Sequence, residues 1–205
     1  MNRYKTVLLF GAPGSGKGTQ GAIVGRIPGY YHMSCGDVFR NLDIHSDLGR
    51  VFYEYSSRGE LVPDDVTVKM WAKNLAARHV LGEYKPHFDL LVLDGIPRTV
   101  EQAKLMEEHI DVLKVVYLVC RDQEAMIERL RRRALKQNRF DDADEKVIRQ
   151  RWAVYEEETR PVLDYYNPDI ISEVDAIGSP AGVLEEVLKH VVPIQDAKFA
   201  EFDGA

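Results

Sequence analysis

TVLLFGAPGSGKGTQ, residues 6–20, decides how the chain folds. Its first part, Thr6–Phe10, is a short unbroken apolar run, which is how a parallel strand covered on both faces reads. Glycines at 11, 14, 16 and 18 interrupt the run, and a helical pattern follows over Lys17–Arg26. Similar apolar runs recur at Tyr30–Met33, Leu90–Leu93, Val115–Val119 and Ile170–Val174. Helical patterns fall between them, at Leu48–Arg58, Asp65–His79, Thr99–Glu108, Gln123–Ala134 and Ala143–Tyr166, with a last one at Ala181–Val191. Strands alternating with helices imply right-handed βαβ units and a parallel sheet covered on both faces. Ligands in such folds sit beyond the carboxyl ends of the strands, so the segments following each apolar run carry the chemistry. Ile194–Ala205 has no clear period and reads as a frayed tail.

The 205 residues suit one domain with a substantial core. Hydrophobic residues make up 45% and charged ones 29%, the balance of an ordinary soluble protein. A net charge of -6 argues against general affinity for nucleic acid or an anionic membrane. No stretch approaches the roughly 18 apolar residues of a membrane span, and the N-terminus lacks the apolar core of a signal peptide. Cys35 and Cys120 stand too far apart in sequence for a metal motif, and two cysteines make no disulfide framework, so both read as free thiols. A cytoplasmic location is the expectation.

Gly11–Thr19 nearly matches the P-loop pattern G-x-x-x-x-G-K-[ST], but Gly18 takes the hydroxyl position and Thr19 comes one later. Such a loop turns its N–H groups inward as a nest for phosphate oxygens, and the helix behind it adds its positive end. Lys17 supplies a point charge for the β- and γ-phosphates. The bare pattern is also met in an ordinary strand-to-helix turn; a strand before it and a helix after it favour the phosphate cradle.

With its shifted threonine, GAPGSGKGTQ at residues 11–20 resembles the P-loop of adenylate kinases and related nucleoside monophosphate kinases. The resemblance runs from about Val7 to Val191. It implies a P-loop three-layer α/β/α fold with a five-stranded parallel sheet, a small helical acceptor lobe at about 34–63 and a short lid at about 129–142. It also implies that Gly14, Ser15, Gly16, Lys17, Gly18 and Thr19 hold the phosphates of ATP, the co-substrate.

Ser34-Cys35-Gly36-Asp37-Val38-Phe39-Arg40 resembles the family's S-T-G-D-x-x-R, in which the arginine holds the acceptor's phosphate; a guanidinium can pair two phosphate oxygens at once. Cys35 replaces a threonine, so one hydroxyl near the acceptor base is missing. Gly59-Glu60-Leu61-Val62-Pro63 resembles the segment that meets the acceptor base, although helix punctuation at Gly59 and Pro63 explains it equally well. Asp94-Gly95-Ile96-Pro97-Arg98, with Gln102 beyond it, resembles D-G-F/Y-P-R-x-x-x-Q. The resemblance puts Arg98 beside Arg40 on the acceptor phosphate and sets Gln102 to read the base. An amide combines donor and acceptor, which suits the N6/N1 edge of adenine. Relatives taking UMP or CMP tend to carry asparagine there, so Gln102 favours AMP. Ile96 stands where an aromatic is usual. Asp94, with Thr19, would engage Mg²⁺ through water, with no direct protein ligand.

Arg129 and Arg133 are four apart and so share a helix face, where like charges repel unless an anion lies between them. A solvated basic face is the plain reading of the run; the resemblance makes both residues clamps on ATP. Arg139-Phe140-Asp141-Asp142 fits the family's R-x-D-D, which closes a lid too short for a zinc-bearing insert. The last catalytic arginine falls at Gln150 by strict spacing, and one inserted residue moves it to Arg151, with Arg149 as the alternative. Gly178 resembles the loop bordering the adenine of ATP.

The expectation is a monomeric enzyme acting on small nucleotides, transferring phosphoryl from ATP to AMP with Mg²⁺. A UMP/CMP-type kinase is the nearest alternative. A nucleotide-binding protein without catalysis is another, opposed by the full set Lys17, Arg40, Arg98, Arg129, Arg133, Arg139 and Arg151.

Overall fold

The structure, a computed structural model, describes residues 3–137 and 144–203. Five strands, β1 (Tyr4–Gly11), β2 (Tyr30–Ser34), β3 (Leu90–Asp94), β4 (Ile110–Val119) and β5 (Ile171–Asp175), form a parallel sheet in the order β2-β3-β1-β4-β5. β1 is central because its alternate residues bury to both sides. Val7 and Leu9 face one core, and Leu8 and Phe10 face the other. The first core lies under α1 (Lys17–Val24) and α8 (Pro180–Asp203), through Val24, Val183, Val187 and Val191. The second is filled from α4 (Asp64–Val80), α5 (Val100–Met106), α6 (Gln123–Gln137) and α7 (Glu145–Val154), by Trp71, Leu75, Met106, Met126, Leu130 and Trp152. The three layers of the expected α/β/α fold are therefore present. Each fully buried Val or Leu contributes about 2 kcal/mol of transfer free energy.

β1 lies between β3 and β4, so the loops leaving β1 and β3 open side by side at the carboxyl edge. Thr6 to Leu9 run in register with Leu91 to Asp94, which brings Asp94 level with the start of the glycine loop. Two further helices, α2 (Cys35–Arg40) and α3 (Asp47–Ser57), follow β2 at this edge.

Three expectations change. β4 starts at Ile110, five residues before the apolar run at Val115, because Asp111 and Lys114 interrupt the apolar pattern of its first half. The helix expected over Ala143–Tyr166 is regular only over Glu145–Val154. It loosens into a π-helical turn, Tyr155–Thr159, and a 3₁₀ stretch, Arg160–Tyr165, around Pro161, which cannot donate a helical hydrogen bond.

The tail is not frayed: α8 continues through Pro193 to Asp203. Polar groups dock it. Tyr30 donates its hydroxyl to the Val191 carbonyl at 3.1 Å, and Gln195 Nε2 donates to Pro28 O at 2.8 Å. Lys198 Nζ, buried, donates to Asp89 O at 2.6 Å and Pro86 O at 3.3 Å. A polar clasp leaves no hydrophobic period, which is why the sequence conceals it. Lys198→Met should cost about 2 kcal/mol, because charged hydrogen bonds are lost and buried carbonyls are left unsatisfied. Thermal unfolding should fall by roughly 4–8 °C for a chain this size; a melting temperature within a degree of the parent would show the tail undocked.

Candidate active site

The glycine loop leaves β1 with Gly11, Gly14 and Gly16 all at positive φ. A Cβ on Gly11 would lie 2.5 Å from the Leu118 carbonyl, so only glycine permits this approach to β4. Gly16 precedes α1 in a left-handed conformation and offers no side-chain cap, which leaves the first N–H groups of the helix open to an anion. Ser15 is buried, and its hydroxyl has no hydrogen-bond partner among the described residues. Lys17 Nζ bonds the loop's own carbonyls, Gly11 O at 2.6 Å and Ala12 O at 2.9 Å. Burial strips its ammonium of water. Asp94 opposes that effect, but Arg98, Arg133 and Arg151 add to it, and its pKa falls from 10.5 to about 7.

Asp94, at the end of β3, is the buried carboxylate of the site. Burial alone would push its pKa up. The His32 hydrogen bond and charge, with Lys17 and Arg98, outweigh that and hold it below the ordinary carboxylate value. Its oxygens accept from His32 Nε2 at 2.9 Å and Ser34 Oγ at 3.3 Å. A Cβ on Gly18 would lie 3.6 Å from Asp94 Oδ2, so this carboxylate lies beside the N-terminus of α1.

Beyond Lys17 a cavity opens between the ends of β1, β2 and β3. Arg40 from α2, Arg98 from the β3–α5 loop and Arg151 from α7 all line it. Arg40 Nη2 pairs with Asp37 Oδ1 at 2.5 Å, and Arg98 Nε donates to Gly95 O at 2.9 Å. Burial lowers the Arg98 pKa, against Cys35 and Asp94 and with Arg151 and Arg40. Cys35, Glu60, Leu61, Val62, Gly95, Ile96, Pro97 and Gln102 complete the wall, so the expected acceptor residues among the described ones all meet here. Burial pushes the Cys35 thiol up to about 12, which leaves it a neutral wall group. Gly59, at φ 73°, lets the Glu60–Val62 segment lie against α7: a Cβ there would be 3.1 Å from Arg151 Cγ.

The other expected residues lie to the far side of the glycine loop. Arg129 Nη1 donates to Ala176 O at 2.8 Å, tying α6 to the loop that carries Gly178. Arg133, one turn along α6, is close enough to depress Lys17. Arg149 points elsewhere, pairing with Glu124 at 3.0 Å and Glu145 at 2.8 Å on an exposed surface. Arg139 lies outside the described residues, as do Asp141 and Asp142.

Sequence reasoning passed over several wall residues. Phe39 and Phe52 stack with centroids 5.1 Å apart and join α2 to α3. Val154, Tyr155 and Thr159 reach the cavity from α7 and its π-helical turn, which no local pattern announces. His32 had a signal, a polar residue in a short strand two positions before Ser34.

The family model for adenylate kinase matches residues 9–171. The chain is 38% identical over 188 residues to an adenylate kinase of Kocuria rhizophila, covering 89% of this chain and 96% of that protein. It is 39% identical over 177 residues to one of Rhodococcus erythropolis, covering 84% and 91%, and 33% identical over 192 residues to one of Flavobacterium psychrophilum, covering 90% and 95%. With the glycine loop, the paired arginines and Gln102 meeting at one edge of the sheet, this chain belongs to the adenylate kinase family.

Proposed function

We propose that the chain transfers the terminal phosphoryl group of ATP to AMP, reversibly, giving two ADP. One observation carries the reading: Lys17, Arg40, Arg98 and Arg151 line a single cavity whose remaining wall offers Leu61, Val62 and the Gln102 amide. Cations with an apolar slot and an amide beyond them suit a second nucleotide, which a simple ATP hydrolase does not need. Family membership supports the same conclusion.

The transferring group spreads negative charge over its oxygens, so catalysis is positioning and charge compensation. The loop N–H groups of Gly14–Thr19, with Lys17, Arg129 and Arg133, hold ATP, and Gly178 borders its base. Arg40 and Arg98 hold the phosphate of AMP; Arg151 and Arg139 compensate charge between the two nucleotides. An ionised phosphate oxygen of AMP attacks the γ-phosphorus, the bond to the bridging oxygen breaks, and ADP leaves. No side-chain nucleophile or general base is required. Closure of the lobe at about 34–63 and of the short lid at about 129–142 keeps water out.

Magnesium suits this chemistry as a partner of the nucleotide. Asp94 stays ionised beside α1. Thr19 and Asp94 would hold the ion through water, and it supplies neutralising charge to the phosphates. No helix of the described residues is long and apolar enough to cross a membrane. The reading is completed by a monomer acting on free nucleotides in the cytoplasm, without nucleic acid.

Purified protein with ATP and Mg²⁺ should form diphosphate rapidly from AMP and poorly from UMP, CMP or GMP, and Lys17→Met should abolish the reaction. Preference for a pyrimidine acceptor would overturn the AMP assignment. Arg151→Ala should lower kcat by about 10²–10³, as loss of one transition-state donor does. Arg149→Ala, which breaks only exposed ion pairs, should stay within about two-fold; equal losses would reject this division of roles. Phosphates restore charge to Lys17, so ATP binding at pH 8, above about 7 and below 10.5, should take up protons. Calorimetry in buffers of different ionisation enthalpy reads that uptake, and proton release would contradict it.

A further inference from the structure

We propose that Asp64 is a positioning residue that fixes which way round the Gln102 amide faces the acceptor base, and so selects adenine over purines carrying a carbonyl at position 6. The inference rests on reading the cavity as the AMP site.

Gln102 is 1% exposed, and both ends of its amide are committed. Its Oε1 accepts from the Arg98 backbone N–H at 2.7 Å, and its Nε2 donates to Asp64 Oδ1 at 2.8 Å. A backbone N–H can only donate and an ionised carboxylate can only accept. The two partners therefore demand the same orientation. Reversing the amide would set Oε1 against the carboxylate and the NH₂ group against another N–H, replacing two hydrogen bonds with two repulsions in a buried place. The backbone under Gln102 is fixed as well, since Thr99 Oγ1 accepts from its N–H at 3.0 Å.

Each end of the amide keeps one further bonding position, and Gln102 lines the cavity. In the fixed orientation it accepts at one end and donates at the other. Adenine answers this with its N6 amino group and N1 lone pair. Hypoxanthine and guanine carry O6 and N1–H, the reverse pattern, and pair only with the reversed amide. Asp64 opens α4 without capping it, since Pro63 precedes the helix and no side chain caps it. Its carboxylate reaches 38 residues along the chain to Gln102 instead.

The test measures kcat and KM for AMP and for inosine monophosphate, with MgATP, on the whole chain. Asp64→Asn can either donate or accept, so it lifts one of the two bars to the reversed amide and leaves only the Arg98 N–H opposing it. The ratio of kcat/KM for AMP over inosine monophosphate should fall about ten-fold, the size of one exchanged buried hydrogen bond. The change should lie mainly in KM, with turnover of inosine monophosphate rising in absolute terms. Asp64→Glu, which still only accepts, should keep the parent ratio. A ratio held within two-fold in Asp64→Asn while both substrates decline would overturn the proposal, since a merely structural role weakens them together. Should Asp64→Asn fail to fold, Asp64→Ser, whose hydroxyl also donates or accepts, gives the same reading. Failure of the AMP reading itself shows differently, as parent enzyme that does not phosphorylate AMP.

Discussion

Like charges crowd this site, and the rest of the structure is arranged around that constraint. Lys17, Arg40, Arg98 and Arg151 line one cavity, and Arg133 stands near enough to be felt by Lys17. Among the described residues one buried carboxylate, Asp94, opposes them, and His32 and Ser34 already share its oxygens. Burial above all, with repulsion from Arg98, Arg133 and Arg151, holds the Lys17 ammonium far below its usual range. An anion of several charges relieves the repulsion, and two nucleotides supply it from both sides.

What carries the strain is the sheet. β1 is buried between two cores, paired with β3 residue by residue and with β4 along its whole length across one register shift at Thr6/Val7. The loops leaving this rigid edge inherit its positions, so Lys17 and Asp94 are fixed by strand ends although they come from separate crossovers. Arg40 and Arg151 sit on helices outside the sheet. Each is held by local contacts, Asp37 for the first and the close approach of Gly59 for the second.

Much of this was legible in the amino-acid sequence, for identifiable reasons. The apolar runs announce strands because a parallel strand buries both faces, and three of the five runs lie within a residue of the observed strands at both ends. The glycine loop is legible from its residue types and spacing, and Arg40, Arg98 and Gln102 from the resemblance to adenylate kinases; the structure brings those three to one cavity. The choice between Arg149 and Arg151 was not legible, since a one-residue insertion is invisible to spacing; in the structure Arg151 lines the cavity while Arg149 pairs with Glu124 and Glu145 on the surface. The π-helical turn at Tyr155–Thr159 and the polar docking of the last helix stayed hidden because both depend on partners far along the chain. Asp64 belongs to the same class: on its own it is a first-turn acid of an ordinary helix.

The clasp at the end of α8 has a consequence for how the molecule is made. Its partners, the carbonyls of Pro28 and Asp89, precede β2 and β3, separated from Gln195 and Lys198 by 167 and 109 residues. Contacts of such separation close late, because the intervening loop entropy must be met first. In a chain synthesised from its N-terminus, the amino edge of β2 and β3 therefore stays unfastened until residue 198 exists, although the phosphate loop and both arginines beside it were completed long before. During synthesis the binding edge of the sheet can be in place while the opposite edge is still open.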